Sequence, residues 1–176
     1  MIRYYIDTET TGLDHNLHEI IEICIIAEDL NGKVVGEFCR KIKPTNILMA
    51  EKEALEINGY TPEKWKDALQ PNKELASTIL NLLDEEGIWV GHNPYFDFRF
   101  LREFMRKYSG NHIMRYMPKL DTRQLAIALF WPDLQSFSLN SVRKSMGLGD
   151  HNPHNARSDA YICREIFHKF DRLKKG

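Results

Sequence analysis

Ile20-Ile21-Glu22-Ile23-Cys24-Ile25-Ile26-Ala27-Glu28-Asp29-Leu30-Asn31-Gly32-Lys33-Val34-Val35-Gly36-Glu37-Phe38-Cys39-Arg40-Lys41-Ile42 is the stretch whose reading decides the fold. Its isoleucine-rich front, Ile20–Asp29, has the β-branched composition of a strand. Asn31-Gly32 is the strongest short hairpin signal, and Val34–Ile42 supplies the returning strand. Ile2–Asp7 reads as a strand ahead of them, so the chain opens as a three-stranded antiparallel meander, closed by Pro44. Helices are predicted over Met49–Asn58, ended by Gly59, then Thr61–Lys66 and Pro71–Asp84. Gly87–His92 is a short apolar run suited to a buried parallel strand, followed by a helix at Pro94–Tyr108. A last strand over Met117–Leu120 leads to helices at Asp121–Phe130, Ser138–Met146 and Ala156–Leu173. Strands first and strand–helix alternation afterwards imply an α/β chain: a mixed five-stranded sheet, three antiparallel strands then parallel ones, with helices on both faces. Without repeats, low-complexity tracts or linkers, residues 1–176 are expected to form one domain.

No apolar run approaches the length of a membrane span, and the N-terminus turns acidic at Asp7, too early for a signal peptide. The expected address is the cytoplasm. Cys24, Cys39 and Cys163 are too few and too scattered for a disulfide framework or zinc site, and read as reduced core residues. The net charge of −1 hides a polarity. Residues 1–60, 61–98 and 99–176 carry −5, −4 and +8, so acid gathers in the front of the chain and base in the back. Solvated helix faces would produce the same totals, and charge alone does not choose a partner.

The chemistry lies in acids that occupy apolar positions. If the first strand stays extended through Glu9, Asp7 and Glu9 project from one face of its end, and Gly12 lets the chain turn away. Extending the apolar stripe of the helix at 94–108 backwards from Phe100 and Leu101 reaches Asp97. In the last helix the stripe of Phe170, Phe167, Cys163, Ala160 and Ala156 includes Asp159. A helix-start acid serving the dipole explains either one alone. Two such helices beside a strand-end acid pair call for a countercharge, and no Lys or Arg falls on these stripes. Divalent cations meet that need: an all-oxygen set selects Mg²⁺ or Mn²⁺, and two such ions about 4 Å apart form a clamp for in-line displacement at phosphorus. His154 lies in a Gly- and Pro-containing loop just before the last helix, placed to act as a general base. A zinc reading of His151 and His154 lacks partner ligands.

These residues resemble the DEDD exonucleases of the ribonuclease H-like fold, in the branch whose general base is histidine and which contains the proofreading epsilon subunit of the bacterial replicative polymerase. The matching segments are Asp7-Thr8-Glu9-Thr10-Thr11-Gly12-Leu13, His92-Asn93-Pro94-Tyr95-Phe96-Asp97 and His154-Asn155-Ala156-Arg157-Ser158-Asp159. Ile20–Ile23, Glu53–Gly59, Asp121-Thr122 and Ser138-Leu139 agree with intermediate signatures, so the resemblance runs from Ile2 to about Phe170. It implies Asp7, Glu9, Asp97 and Asp159 as ligands of two metal ions, and His154 as general base. The tyrosine-using branch is excluded, since Asn155 stands four residues before Asp159. Thr10, Leu13, Asn58, Asn93 and Phe96 correspond to positions around the 3′-terminal nucleotide, Asn58 replacing a histidine of some relatives.

The expected activity is 3′–5′ hydrolysis of single-stranded nucleic acid with a free 3′ end, releasing nucleoside 5′-monophosphates. DNA is favoured slightly over RNA, leaving an exoribonuclease or oligoribonuclease as the nearest alternative. A binding adaptor of the same fold is disfavoured because it has no use for four mutually repelling acids. A ribonuclease H-type endonuclease is disfavoured by the His154-to-Asp159 ending. Only Asp171–Gly176 follow the resemblance, so no polymerase-binding tail is seen. A free-standing enzyme is expected, with polymerase association left open.

Overall fold

The computed structural model describes residues 1–83, 86–110 and 116–175. Strands β1 (Ile2–Thr10), β2 (Ile20–Glu28), β3 (Val34–Lys41), β4 (Gly87–Gly91) and β5 (Lys119–Asp121) form one sheet in the order β3-β2-β1-β4-β5. β1–β2 and β2–β3 are antiparallel, whereas β1–β4 and β4–β5 are parallel. This is the mixed sheet expected, and the hairpin turn holds Gly32 at φ +84°, a backbone region that glycine enters without penalty. β1 outruns its predicted end at Asp7, because Glu9 and Thr10 still pair with Glu22 and Ile20 across a bulge.

Helices α1 (Lys52–Ile57), α2 (Lys73–Leu82), α3 (Pro94–Tyr108), α4 (Thr122–Phe130), α5 (Leu139–Ser145) and α6 (Ala156–Lys175) complete the fold. Polar residues open three of them: the side chains of Asn72, Asp121 and Ser138 accept hydrogen bonds from Leu75 N, Arg123 N and Ser141 N. The helix expected over Met49–Asn58 is divided into a 3-10 turn at Ile47–Met49 and the shorter α1. Glu51 between them is extended and donates its N–H to Thr11 O at 2.8 Å, tying this segment to the turn after β1. Thr61–Lys66 forms hydrogen-bonded turns, not the helix expected. Trp65 is buried and anchored by its indole N–H on Ile21 O at 2.8 Å, a tertiary contact that outweighs local propensity. The predicted end of the second long helix, Asp84, lies outside the described residues.

Side chains alternate across β1. Tyr4 and Ile6 join the core beneath α2 and α3, while Tyr5 joins the one beneath α6. Arg3, Asp7 and Glu9 share the face of Tyr5. On β2, Cys24 and Ile26 join that second core, and Glu22 and Glu28 share their face. The cysteine reading needs correction. Cys24 and Cys39 stand directly opposite in the β2–β3 register, Cα atoms 4.0 Å apart, and form a disulfide; only Cys163 remains a free, buried thiol. Spacing along the chain said nothing of this, because a hairpin brings residues 15 apart face to face.

Candidate active site

The C-terminal end of β1 delivers Asp7 and Glu9 to the α6 side of the sheet. Glu9 is directly opposite Glu22 of β2, a like-charge pair that a sheet on its own would disfavour. Gly12 allows the chain to leave: a Cβ there would lie 2.5 Å from the His18 ring, which packs against the turn and accepts a hydrogen bond from Asp14 N. α3 begins one residue after Asn93, held at φ 73°, and brings the buried Asp97 back against β1. There Asp97 Oδ1 accepts hydrogen bonds from Thr8 N at 2.9 Å and Thr8 Oγ1 at 2.8 Å. α6 is entered through His154 at φ 59°. Among the described residues these two are the non-glycine positions with positive φ, Asn93 directly before α3 and His154 two residues before the start of α6, and each helix contributes an acid.

His154 donates its backbone N–H to Asp159 Oδ2 at 3.2 Å. Donor atoms of Glu9, His154 and Asp159 come within 4.8 Å of one another, so the predicted base and two of the predicted ligands converge. Asp7 interacts electrostatically with Asp97, Asp159, Glu9 and Glu22, which brings all four predicted acids into one group. Burial first, then these neighbouring charges, hold the Asp7 carboxyl well above the usual range. Glu9 is pushed to about 8 by burial and by Asp159, Glu22 and Asp97. Burial raises Asp97 to about 7 despite the Thr8 hydrogen bonds, and Asp159 to about 6 despite the His154 N–H. Glu22 is raised as well, burial outweighing the attraction of Lys41 and the hydrogen bond from Asn155 Nδ2 at 2.9 Å.

None of these five acids forms an ion pair with a lysine or arginine among the described residues. Asp159 Oδ1 is buried without a hydrogen bond; His151 Nε2 lies 3.1 Å away but is not aligned to donate. Clustered carboxylates with raised pKa values, one oxygen left without a donor and an imidazole at the rim fit the donor set of a divalent cation.

Of the other predicted positions, Leu13 is 75% exposed in the turn after β1, and Phe96 packs on Phe100 with ring centroids 4.9 Å apart. The Thr10 hydroxyl is engaged with Gly12 O at 2.7 Å, and Asn58 Nδ2 donates to Thr10 O at 3.1 Å, so both brace the turn after β1. Asn93 donates its N–H to Asp121 Oδ1 at 3.0 Å. A cleft of about 280 Å³ runs from His154 and Asn155 past Glu22 to Asn58 and Lys64.

Glu22 and His151 were not singled out from the sequence as site residues. Glu22 carried a usable signal, an acid within an isoleucine-rich buried strand, which is the same anomaly that marks Asp97 and Asp159. His151 entered only as half of a His151–His154 zinc pair that was set aside, since only the folded loop brings it beside Asp159.

A family model described as exonuclease matches residues 5–167. A PolC-type DNA polymerase III of Thermotoga maritima is 36% identical over 170 residues, which cover 97% of this chain and 12% of that protein. The DNA polymerase III epsilon subunit of Treponema pallidum is 30% identical, with 92% of this chain and 72% of that protein covered. Exonuclease I of Escherichia coli, solved with a dT13 oligonucleotide, superposes with a TM-score of 0.78 at 22% identity, covering 99% of this chain and 42% of that one. That likeness shows the ribonuclease H-like fold. The chain spans about an eighth of the first of these relatives.

Proposed function

We propose that this chain, which belongs to the exonuclease family, removes nucleotides one at a time from the 3′ end of single-stranded nucleic acid in the manner of its histidine-using branch. The observation that carries the reading is the convergence of His154 with Glu9 and Asp159 on a group of buried acids that form no lysine or arginine ion pair among the described residues. Asp7, Glu9, Asp97 and Asp159 would hold two Mg²⁺ or Mn²⁺ ions, as family membership and the donor set lead one to expect. Bound there, the cations would supply charge neutralisation at the phosphodiester and make water more acidic.

The chain's own groups do the rest. His154 takes a proton from the attacking water as the new P–O bond forms and the bond from phosphorus to the 3′ oxygen of the preceding nucleotide breaks. The product is a nucleoside 5′-monophosphate. Thr8 positions Asp97 through two hydrogen bonds. Leu13 and Phe96 offer apolar contact to the terminal base, and single-stranded substrate follows from the need to splay that base out. DNA is the preferred substrate in this reading, because the relatives are DNA polymerase III proteins and the solved neighbour holds a DNA oligonucleotide. Association with a polymerase follows from the same relatives as a second proposal.

The test uses 5′-labelled single-stranded DNA and RNA of equal sequence with Mg²⁺, Mn²⁺ or EDTA. A ladder shortening from the 3′ end is expected, absent in EDTA and with Asp7→Ala. His154→Ala should lose about 10²–10⁴-fold in rate while keeping most of its metal binding. Equal digestion by the wild type and Asp7→Ala would sink the mechanism, and binding without cleavage would favour an adaptor.

A further inference from the structure

The basic excess of residues 99–176 has a partial address on the outside of α3. Its exposed residues are Tyr95, Arg99, Arg102, Arg106 and Lys107: one aromatic and four cations, with no exposed acid. Positions 95, 99, 102 and 106 follow a 4-3-4 spacing, so they lie in one row along the helix. At 1.5 Å per residue the row is about 16 Å long. Its first residue, Tyr95, stands in the same N-terminal turn as Asp97 but about 200° around the helix from that buried acid.

The row is extended sideways by aromatic groups around a lysine. Lys119 Nζ lies 5.6 Å from the Tyr95 ring centroid and 5.4 Å from that of Tyr116. Both tyrosines are open to solvent, 55% and 80% exposed. Half-buried Glu103 pairs with Arg106 Nε at 2.6 Å and with an Arg102 nitrogen at 3.5 Å, which orients two guanidinium groups and leaves other N–H groups available. Arg99 has no ion pair among the described residues. A solvated helix face explains scattered cations, but not exposed rings set beside cations in a row that begins in the helical turn carrying Asp97.

We propose that this face carries the part of the single strand lying 5′ of the scissile phosphate, with Tyr95 and Tyr116 stacking on bases and Lys119, Arg99, Arg102 and Arg106 meeting phosphates. The assignment rests on the exonuclease reading and adds the direction in which substrate leaves the acid group. Base–aromatic stacking combined with a cationic track is the usual means of holding single strands without sequence preference.

The experiment compares wild type with the triple variant Arg99→Ala/Arg102→Ala/Arg106→Ala and with the corresponding triple Lys variant. The substrates are a 15-nucleotide strand, in DNA and RNA forms, and the p-nitrophenyl ester of thymidine 5′-monophosphate. For the Ala variant, KM for the 15-mer should rise about tenfold with kcat kept, and hydrolysis of the small ester should be unchanged. Anisotropy of a labelled 15-mer in EDTA should show the slope of log affinity against log salt reduced by about 2 for three lost phosphate contacts. The Lys variant should recover most of both effects. Unchanged 15-mer binding and salt slope in the Ala variant would overturn the proposal, as would equal losses on the 15-mer and the ester. An inactive wild type would instead count against the exonuclease reading, and the anisotropy comparison would still decide whether a strand lies on α3.

Discussion

The face of β1 and β2 that packs on α6 has buried acids at both ends, and the two ends satisfy them in opposite ways. At one end Glu28, fully buried, meets Arg3 Nε at 3.1 Å, His168 Nε2 at 2.9 Å, the Tyr5 hydroxyl at 3.0 Å and Arg164. Burial alone would raise its pKa, but His168 and Arg164 outweigh burial and hold it below the usual carboxylate range. At the other end Asp7, Glu9, Glu22, Asp97 and Asp159 face one another, and every one of them is raised. β1, β2 and α6 supply both ends, with Asp97 of α3 added at the second, so general features of strand or helix do not account for the difference. A buried acid with its countercharge in the chain belongs to the fold. A group of acids without one points to a countercharge from outside, and so to chemistry.

The largest effect expected from this contrast is at the structural end. Glu28→Ala leaves Arg3, Arg164 and His168 without their shared partner and should cost about 3–5 kcal/mol in urea denaturation, as breaking a buried ion pair does. A loss below about 1 kcal/mol would mean that the two ends do not differ in kind.

Next in size is the dependence of stability on pH without metal. Acids raised above their unfolded values near 4 contribute stability that is complete below that pH and disappears as pH rises through about 6 to 8, the values of Asp159, Asp97 and Glu9. Glu28, being lowered, acts in reverse: its contribution holds at higher pH and is lost as the medium becomes acidic. In EDTA, stability should therefore peak near pH 5 and fall on the order of 2 kcal/mol by pH 8, while Mg²⁺ should flatten the fall. Thermal melts with and without the cation would show this. Identical alkaline limbs would argue that no cation relieves the acids.

Asp159→Asn should abolish nuclease activity yet raise metal-free stability by about 1 kcal/mol at pH 8, by removing one repelling charge. Denaturation in EDTA checks the sign, and a destabilised variant would contradict the unpaired-acid reading. The smallest expected change is for Glu22→Gln, which keeps an oxygen for Asn155 and ends the like-charge pairing with Glu9. A gain of about 0.2–1 kcal/mol in EDTA, with a shallower fall above pH 6, would match its place at the edge of the group.

Much of this was legible in the residues. Asn31-Gly32 and the isoleucine run announced the meander, Pro94 the start of α3, and the stripes through Phe100 and Phe170 exposed Asp97 and Asp159 as acids among apolar neighbours. Local patterning encodes such features because strand and helix periods place each side chain on a known face. Thr61–Lys66 misled for the complementary reason: its fate depends on the seat of Trp65 against β2, which helix propensity does not contain. The Cys24–Cys39 pair and the approach of His151 to Asp159 were likewise invisible, each being set by segments that meet only after folding.

By itself, then, the sequence determined the order and kind of most elements, and which carboxylates sit where burial would punish them. Tertiary structure decided which acids lack a countercharge. Glu22 and Glu28 are both acids of one buried strand, alike in composition and pattern. Sheet pairing with β1 and the packing of α6 give Glu28 two arginines and a histidine. They set Glu22 against Glu9 and Asp159, with the pull of Lys41 opposing them, because electrostatic energy depends on distances in space, not on distances along the chain.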